Sequence, residues 1–425
     1  MNETITSLLE KLKGKPLVVW GARMTGIGFS RFSRKNDLNL IGFVDSDPSL
    51  YGKFIDGVEI GGPESIRELK EKHENLVVVV AVSIKEDEII HTLEGFGLST
   101  ADYINFNSLC GTIFTIDVAG TCNLSCPSCA QSMDELSKSK GFMSLEDFKE
   151  ITKKIVSEVD LVTHFSLYSW GEPFLHPNLN KIIRHTHSLG IAAAVSSNLS
   201  IRSAKQVDAI VKAAPDYLKI SVSGYYHDVY NSTHTGGDVN LVKSNLYRLK
   251  YLMEKYKASI FVDVNYHLYK NNTGIDQVKM KELCDELGFA FSPSYANLTP
   301  VERLIDYREG KMSNATRDIA KLLLVSVEKG VEIGGPFGKL PCRFMTNQLN
   351  INWDKSVPLC CVCFEHDTST IAKDYLTVSL EEISKRKLTH PLCTKCIEYG
   401  FPSYLLGVNQ EAWHKEANKY IARQS

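Results

Sequence analysis

The chain has 425 residues, with 48 Lys+Arg against 50 Asp+Glu, 43% hydrophobic residues and 11 cysteines; at about 150 residues per domain, roughly three domains are expected. A net charge of −2 supplies no global pull toward nucleic acid or anionic lipid, and the longest apolar run, Leu76 to Val82, falls far short of the ~20 residues of a membrane helix. Neither nucleic acid nor membrane is an expected partner, a cytoplasmic location is expected, and in that reducing compartment the cysteines point to metal or redox chemistry and away from a disulfide framework.

The first segment reads as strand, glycine turn, helix, strand and acid: Pro16 to Trp20, then Gly21-Ala-Arg-Met-Thr-Gly26-Ile-Gly28, then Leu40 to Val44 with Asp45. A buried run over Leu76 to Ser83, a helix over Glu86 to Glu94 and a last strand at Asp102 to Phe106 complete a parallel, Rossmann-like sheet over residues 1–108. Its glycine spacing is not GxGxxG, which argues against ordinary dinucleotide binding. Asp45, 24 residues beyond Gly21, is nevertheless placed to accept hydrogen bonds from a ribose.

Strand–helix alternation restarts in residues 109–300. Strands are predicted at Ile113 to Val118, Thr163 to Tyr168, Ala192 to Ser196, Leu218 to Val222, Ile260 to Tyr266 and Phe289 to Pro293, with helices between them and Ser144 as an N-cap. Six such units describe a partial (β/α)6 TIM-type barrel. A connecting helical segment, residues 301–333, holds a helix over Ala315 to Lys329. A cysteine-rich module with little helical periodicity follows at 334–405, and a polar helix over Asn409 to Arg423 within residues 406–425 packs back on the body.

Two cysteine groups carry the chemistry. Cys122, Cys126 and Cys129 follow the first barrel strand, at the end where barrel enzymes place their active sites; three thiolates hold three irons of a 4Fe-4S cube and leave the fourth open. In the second group, a strand and turn at Leu349 to Lys355 lie between Cys342 and Cys360, and Cys393 and Cys396 follow at a distance. Consecutive thiols alternate in direction, and among Cys360, Cys361 and Cys363 the preferred ligand is Cys360. Structural zinc is the other reading of both groups. Cys110 and Cys284 read as inert, buried thiols.

The CxxxCxxC loop, with Gly171-Glu172-Pro173 after the second barrel strand, resembles the radical S-adenosylmethionine (SAM) superfamily over about residues 112–296. The resemblance implies that Cys122, Cys126 and Cys129 hold a 4Fe-4S cluster whose open iron chelates SAM, and that Gly171 and Glu172 bind the methionine amine. It further implies SAM contacts at the strand ends carrying Ser196, Asn198, Ser221, Ser223 and Asn265. Trp170 stands where the family often has glycine, and Pro127 where an aromatic is common.

The second group resembles the auxiliary-cluster modules called SPASM or twitch, the shorter twitch form fitting better. It implies one auxiliary 4Fe-4S cluster on Cys342, Cys360, Cys393 and Cys396. Residues 15–62 resemble the small nucleotide-binding domain of sugar acyltransferases, which implies a nucleotide or nucleotide-sugar near Gly21 and Asp45. The expected activity is hydrogen abstraction by a 5′-deoxyadenosyl radical from a sugar, nucleotide-sugar or cyclitol, for net oxidation or rearrangement, with a one-electron donor such as flavodoxin or ferredoxin. A maturase acting on a ribosomal peptide and a non-enzymatic iron-sulfur or zinc redox regulator are the alternatives.

Overall fold

The computed structural model describes residues 3–82, 86–133, 140–338 and 342–422; the expected ends at Ser83 and Arg423 lie outside them. Two parallel sheets organise the chain. The N-terminal sheet contains β1 (Pro16–Trp20), β2 (Asn39–Val44), β3 (Phe54–Ile55), β4 (Val58–Gly61), β5 (Val77–Val80) and β6 (Tyr103–Asn105), in the order β3-β4-β2-β1-β5-β6, with only β3 antiparallel. β5 is four valines, all buried, as a parallel strand covered on both faces requires. Gly21 leaves β1 at φ +116°, and a Cβ there would stand 2.6 Å from the Ala81 carbonyl oxygen. The turn therefore needs glycine for both backbone conformation and close approach.

The central sheet is entirely parallel: β7 (Ile113–Ile116), β8 (His164–Ser166), β9 (Ala192–Ser197), β10 (Tyr217–Val222), β11 (Phe261–Leu268), β12 (Ala290–Tyr295) and β13 (Gln348–Ile351), in the order β12-β11-β10-β9-β8-β7-β13. The α/β fold with parallel sheets agrees with expectation and is consistent with a TIM-type barrel. Strand β13 adds a correction. Residues 349–351 were expected inside the cysteine-rich module, yet they pair with β7 through Leu349–Phe114 and Ile351–Ile116. Both are buried, and their apolar side chains join the main core.

Three further departures have local causes. The expected helix Ala315 to Lys329 is two helices, Asn314–Leu322 and Val327–Gly334, because Ser326 caps the second through the Lys329 amide while Leu323, Leu324 and Val325 turn into the core. The cysteine-rich module contains helices Leu380–Thr389, Pro391–Glu398 and Phe401–Leu405. It also has an apolar core: Leu359, Tyr375, Ile383, Phe401 and Tyr404 are buried in the cluster that includes the central sheet. Finally, the tail helix Gln410–Ile421 buries Trp413, whose ring lies 5.7 Å from Tyr295 and 5.8 Å from Tyr404.

The N-terminal sheet is docked on the central one by a shared apolar cluster that joins Ile27 and Phe29 to Ala194, Tyr217, Phe261 and Ala290. Gly28 sits so close that a Cβ would meet the Thr163 carbonyl oxygen at 2.7 Å. Arg31 donates to Asp216 at 2.7 Å, and Lys53 to the Phe289 carbonyl oxygen at 2.9 Å. No helix among the described residues is long and apolar enough to cross a membrane.

Candidate functional site

A cavity of about 350 Å³ opens where the loops leave the carboxyl ends of the central strands. Cys122, Cys126 and Cys129 line it together with Gly171, Glu172, Ser196, Asn198 and Ser221, so the structure brings these predicted residues together. Burial pushes the Cys122 thiol up to about 12 and raises Cys126 as well. These sulfurs stay protonated until a metal takes the proton's place. The loop is braced from below: Ser132 Oγ donates to the carbonyl oxygens of Cys126 at 2.6 Å and Cys129 at 2.8 Å.

Glu172 is 2% exposed. Its carboxylate accepts from the Asn198 amide at 2.7 Å and the Phe174 amide at 2.9 Å, while burial pushes it up to about 7. Gly171 has no room for a side chain, since a Cβ would stand 1.5 Å from the Ala119 carbonyl oxygen. The Glu172 amide donates to the Thr121 carbonyl oxygen at 2.8 Å, so this turn is welded to the cysteine loop. Asn198 donates to Asn123 at 3.0 Å and reaches Cys122 Sγ at 3.7 Å.

Other predicted residues lie elsewhere. Ser223 is buried outside the cavity lining and bonds His234 Nδ1 at 2.7 Å. Asn265 donates to the Ser292 carbonyl oxygen and to Ser294 Oγ. Gly21 and Asp45 do not line the cavity: Asp45 accepts from the Ala22 amide at 2.7 Å and the Asp47 amide at 2.9 Å, which holds the glycine turn. Cys110 and Cys284 are buried and line neither cysteine cavity.

Sequence reasoning missed several supports. Asp117 is 5% exposed at the end of β7 and accepts from the Trp170 amide at 3.1 Å; burial pushes its carboxyl up to about 6. It holds the turn that delivers Gly171. Trp353 lies over the backbone of Gly120 and Gly141, where any Cβ would overlap its ring. In helix Val301–Arg308, Arg303 donates to the Pro127 carbonyl oxygen at 3.1 Å, while Glu302 accepts from the amides of Phe364 and Glu365, each at 3.1 Å. One helical turn thus braces both cysteine regions, and an adjacent Glu-Arg pair carries no sequence signal for that role.

The second group surrounds a tight cavity of about 20 Å³ lined by Cys342, Cys360, Cys363, Cys393 and Cys396 among apolar side chains. Cys363, not singled out in the sequence, stands with its Sγ 3.4 Å from that of Cys360, because its amide donates to the Cys360 carbonyl oxygen in a tight turn. Cys361 does not line this cavity. Buried Lys387 donates to the Gln348 carbonyl oxygen at 2.5 Å; burial raises the thiols of Cys342, Cys361 and Cys393, and the Lys387 charge offsets part of that rise.

Both donor sets are all-thiol, the chemistry of iron-sulfur ligation. Among the described residues, no group of three or more His, Cys, Asp or Glu side chains is placed to hold a single metal ion. In a cube each thiolate meets its own iron, so the sulfurs need not converge on one point.

Residues 116–264 match the model of the Radical SAM superfamily. The chain carries a Radical SAM domain. No curated protein matches the chain. Solved structures similar to it include native anSMEcpe with bound AdoMet, at 16% identity over 68% of this chain and 84% of that one, with a TM-score of 0.42. Streptococcus suis SuiB bound to precursor peptide SuiA shares 11% identity over 74% and 72%, with a TM-score of 0.45. BtrN in complex with AdoMet and 2-DOIA shares 13% over 68% and 88%, with a TM-score of 0.36. These likenesses are too distant to carry residue roles or substrates to this Radical SAM domain.

Proposed function

We propose that the chain is an enzyme that uses SAM and a 4Fe-4S cluster to begin radical chemistry on a small polar molecule such as a sugar, nucleotide-sugar or cyclitol. The observation that carries this reading is the convergence of Cys122, Cys126 and Cys129 with Gly171 and Glu172 in one cavity. When bound, the cluster and SAM supply a 5′-deoxyadenosyl radical after one-electron reduction by a flavodoxin- or ferredoxin-type donor, and an auxiliary cluster supplies an electron acceptor.

The chain's own groups hold and orient. Cys122, Cys126 and Cys129 would each hold one iron of the cluster. Gly171 and Glu172 accept from the methionine amine, on a turn that Asp117 fixes through Trp170. Ser196 and Ser221 offer hydroxyls to the rest of SAM. Trp170 lines the cavity and is held edge-on against Phe364, 5.4 Å between rings. Cys342, Cys360 or Cys363, Cys393 and Cys396 suit one fully protein-ligated auxiliary cluster, because four thiols from three chain segments line one cavity among mainly apolar side chains.

Anaerobic reconstitution should give about eight irons per chain, and dithionite with SAM should release 5′-deoxyadenosine and methionine. Near-stoichiometric zinc, or filled iron sites without 5′-deoxyadenosine, refutes the proposal. Deuterated sugars then locate the substrate: the one that passes deuterium to 5′-deoxyadenosine is it.

A further inference from the structure

Among the described residues lining the SAM cavity, Lys219 is the one lysine or arginine and Glu172 the one carboxylate. It lies mid-strand in β10, on the same face as Ser221 and two residues before it, so about 7 Å deeper than the strand end that faces the cysteines. Its ammonium sits 4.9 Å from the centre of the Tyr168 ring and forms no ion pair among the described residues.

Its natural partner has been taken. Lys219 pairs in register with Asp263 on β11, and an opposite-charge pair at that spacing would normally neutralise itself. Instead the Asp263 carboxylate accepts from Arg23 at 2.5 Å, from the Tyr217 hydroxyl at 2.6 Å and from Ser292 Oγ at 2.5 Å. Arg23 comes from the glycine turn of the N-terminal sheet, 240 residues away in sequence, and also bonds Asp47 at 3.0 Å. Its neighbour Met24 lies under the cavity floor, with Sδ 3.6 Å from the Tyr168 hydroxyl. The turn that would cradle a phosphate in a dinucleotide-binding domain is here built into the floor of another cavity.

We infer that Lys219 binds an anionic group of the substrate, a carboxylate or phosphoryl group, at the deep end of the cavity, and that Arg23 keeps it available by occupying Asp263. A half-buried cation on a cavity wall favours an anionic partner, and the in-register carboxylate of Asp263 is directed to Arg23, Tyr217 and Ser292. The nearby polar groups suit the same ligand. His267, which burial lowers to about 3, stays neutral and offers a ring nitrogen, and Ser196 and Ser221 offer hydroxyls. This inference rests on reading the cavity as the SAM and substrate site. The same anionic chemistry could also come from the carboxylate of SAM, whose methionine end the Gly171–Glu172 turn holds at the opposite, cysteine end.

The test uses reconstituted full-length protein and two ligands, SAM and inorganic phosphate, each followed by equilibrium dialysis. With SAM present, the wild type should bind phosphate; K219M should weaken that binding by about tenfold or more, the scale of a charge-assisted contact, and K219R should restore most of it. R23M should weaken it by about threefold or more although Lys219 is intact, because Asp263 is released to pair with it. SAM affinity should stay within about twofold in all three variants, which also reports that they fold. Phosphate binding equal in wild type and K219M overturns the inference. A tenfold loss of SAM affinity in K219M also overturns it by assigning the cation to SAM, and unchanged phosphate binding in R23M removes the role of Arg23. A wild type that forms no 5′-deoxyadenosine would instead sink the radical reading, and the phosphate result would stand apart from it.

Discussion

The two cysteine-lined cavities differ in what surrounds the sulfur. Around Cys122, Cys126 and Cys129 there is a roomy polar chamber with a buried carboxylate, a lysine and two histidines. Around Cys342, Cys360, Cys363, Cys393 and Cys396 the walls are apolar side chains such as Val301, Met345 and Leu359, and almost no free space remains. Under the proposed reading, ligand count follows the surroundings: three thiolates beside a polar chamber would leave an iron open to a ligand, and four within apolar walls would close the shell. Both regions are braced by the same helix, through Arg303 to one and Glu302 to the other.

If this contrast is right, Cys126→Ala should remove the first cluster and abolish SAM cleavage altogether, read as 5′-deoxyadenosine by chromatography. Cys393→Ala should leave uncoupled SAM cleavage but lose product and about half of the bound iron. Within the second group, Cys363→Ala should lower auxiliary iron while Cys361→Ala retains it; the reverse order would show that the turn places the wrong sulfur. Equal damage to SAM cleavage from Cys126→Ala and Cys393→Ala would erase the distinction between the two cavities.

A smaller effect concerns the polar chamber alone. Asp117 has a folded value of about 6 against an ordinary 3.8, so the folded protein binds that proton more tightly than the unfolded chain does. The resulting stabilisation is full below about pH 4 and is lost as the pH rises through about 6, amounting to about 3 kcal/mol. Asp117→Asn should flatten that part of the stability profile in denaturant titrations run at successive pH values. Smallest of all, Asp45→Asn should leave SAM cleavage unchanged, because its carboxylate bonds the Ala22 and Asp47 amides and does not line the cysteine cavity.

Much of this was legible locally. The six strands of the central sheet from β7 to β12 were readable from short apolar runs, and the cysteine loop from its spacing, since both are encoded by near neighbours in the chain. The parts that were not legible depend on distant partners. Cys363 was passed over because consecutive thiols were judged by strand alternation, whereas a tight turn puts residues three apart side by side. Ser223 and Asn265 satisfied the strand-end pattern, yet each found a closer hydrogen-bond partner than the cavity. The one helix that carries both Cys393 and Cys396, Pro391–Glu398, has no periodic signal of its own because Leu392 and the two cysteines pack on the central core.

Sequence alone therefore determined the chemistry the chain is equipped for: clustered thiols in two groups, a Gly-Glu turn and repeated strand–helix units. Tertiary structure decided which polar groups are free to act. The glycine turn of the N-terminal sheet looked like a nucleotide cradle in the sequence, and in the folded protein its Arg23 neutralises Asp263 and leaves Lys219 without a carboxylate. The physical reason is that thiol spacing is a local property of the chain, whereas the pairing of a buried charge depends on which of several distant partners reaches it first in space.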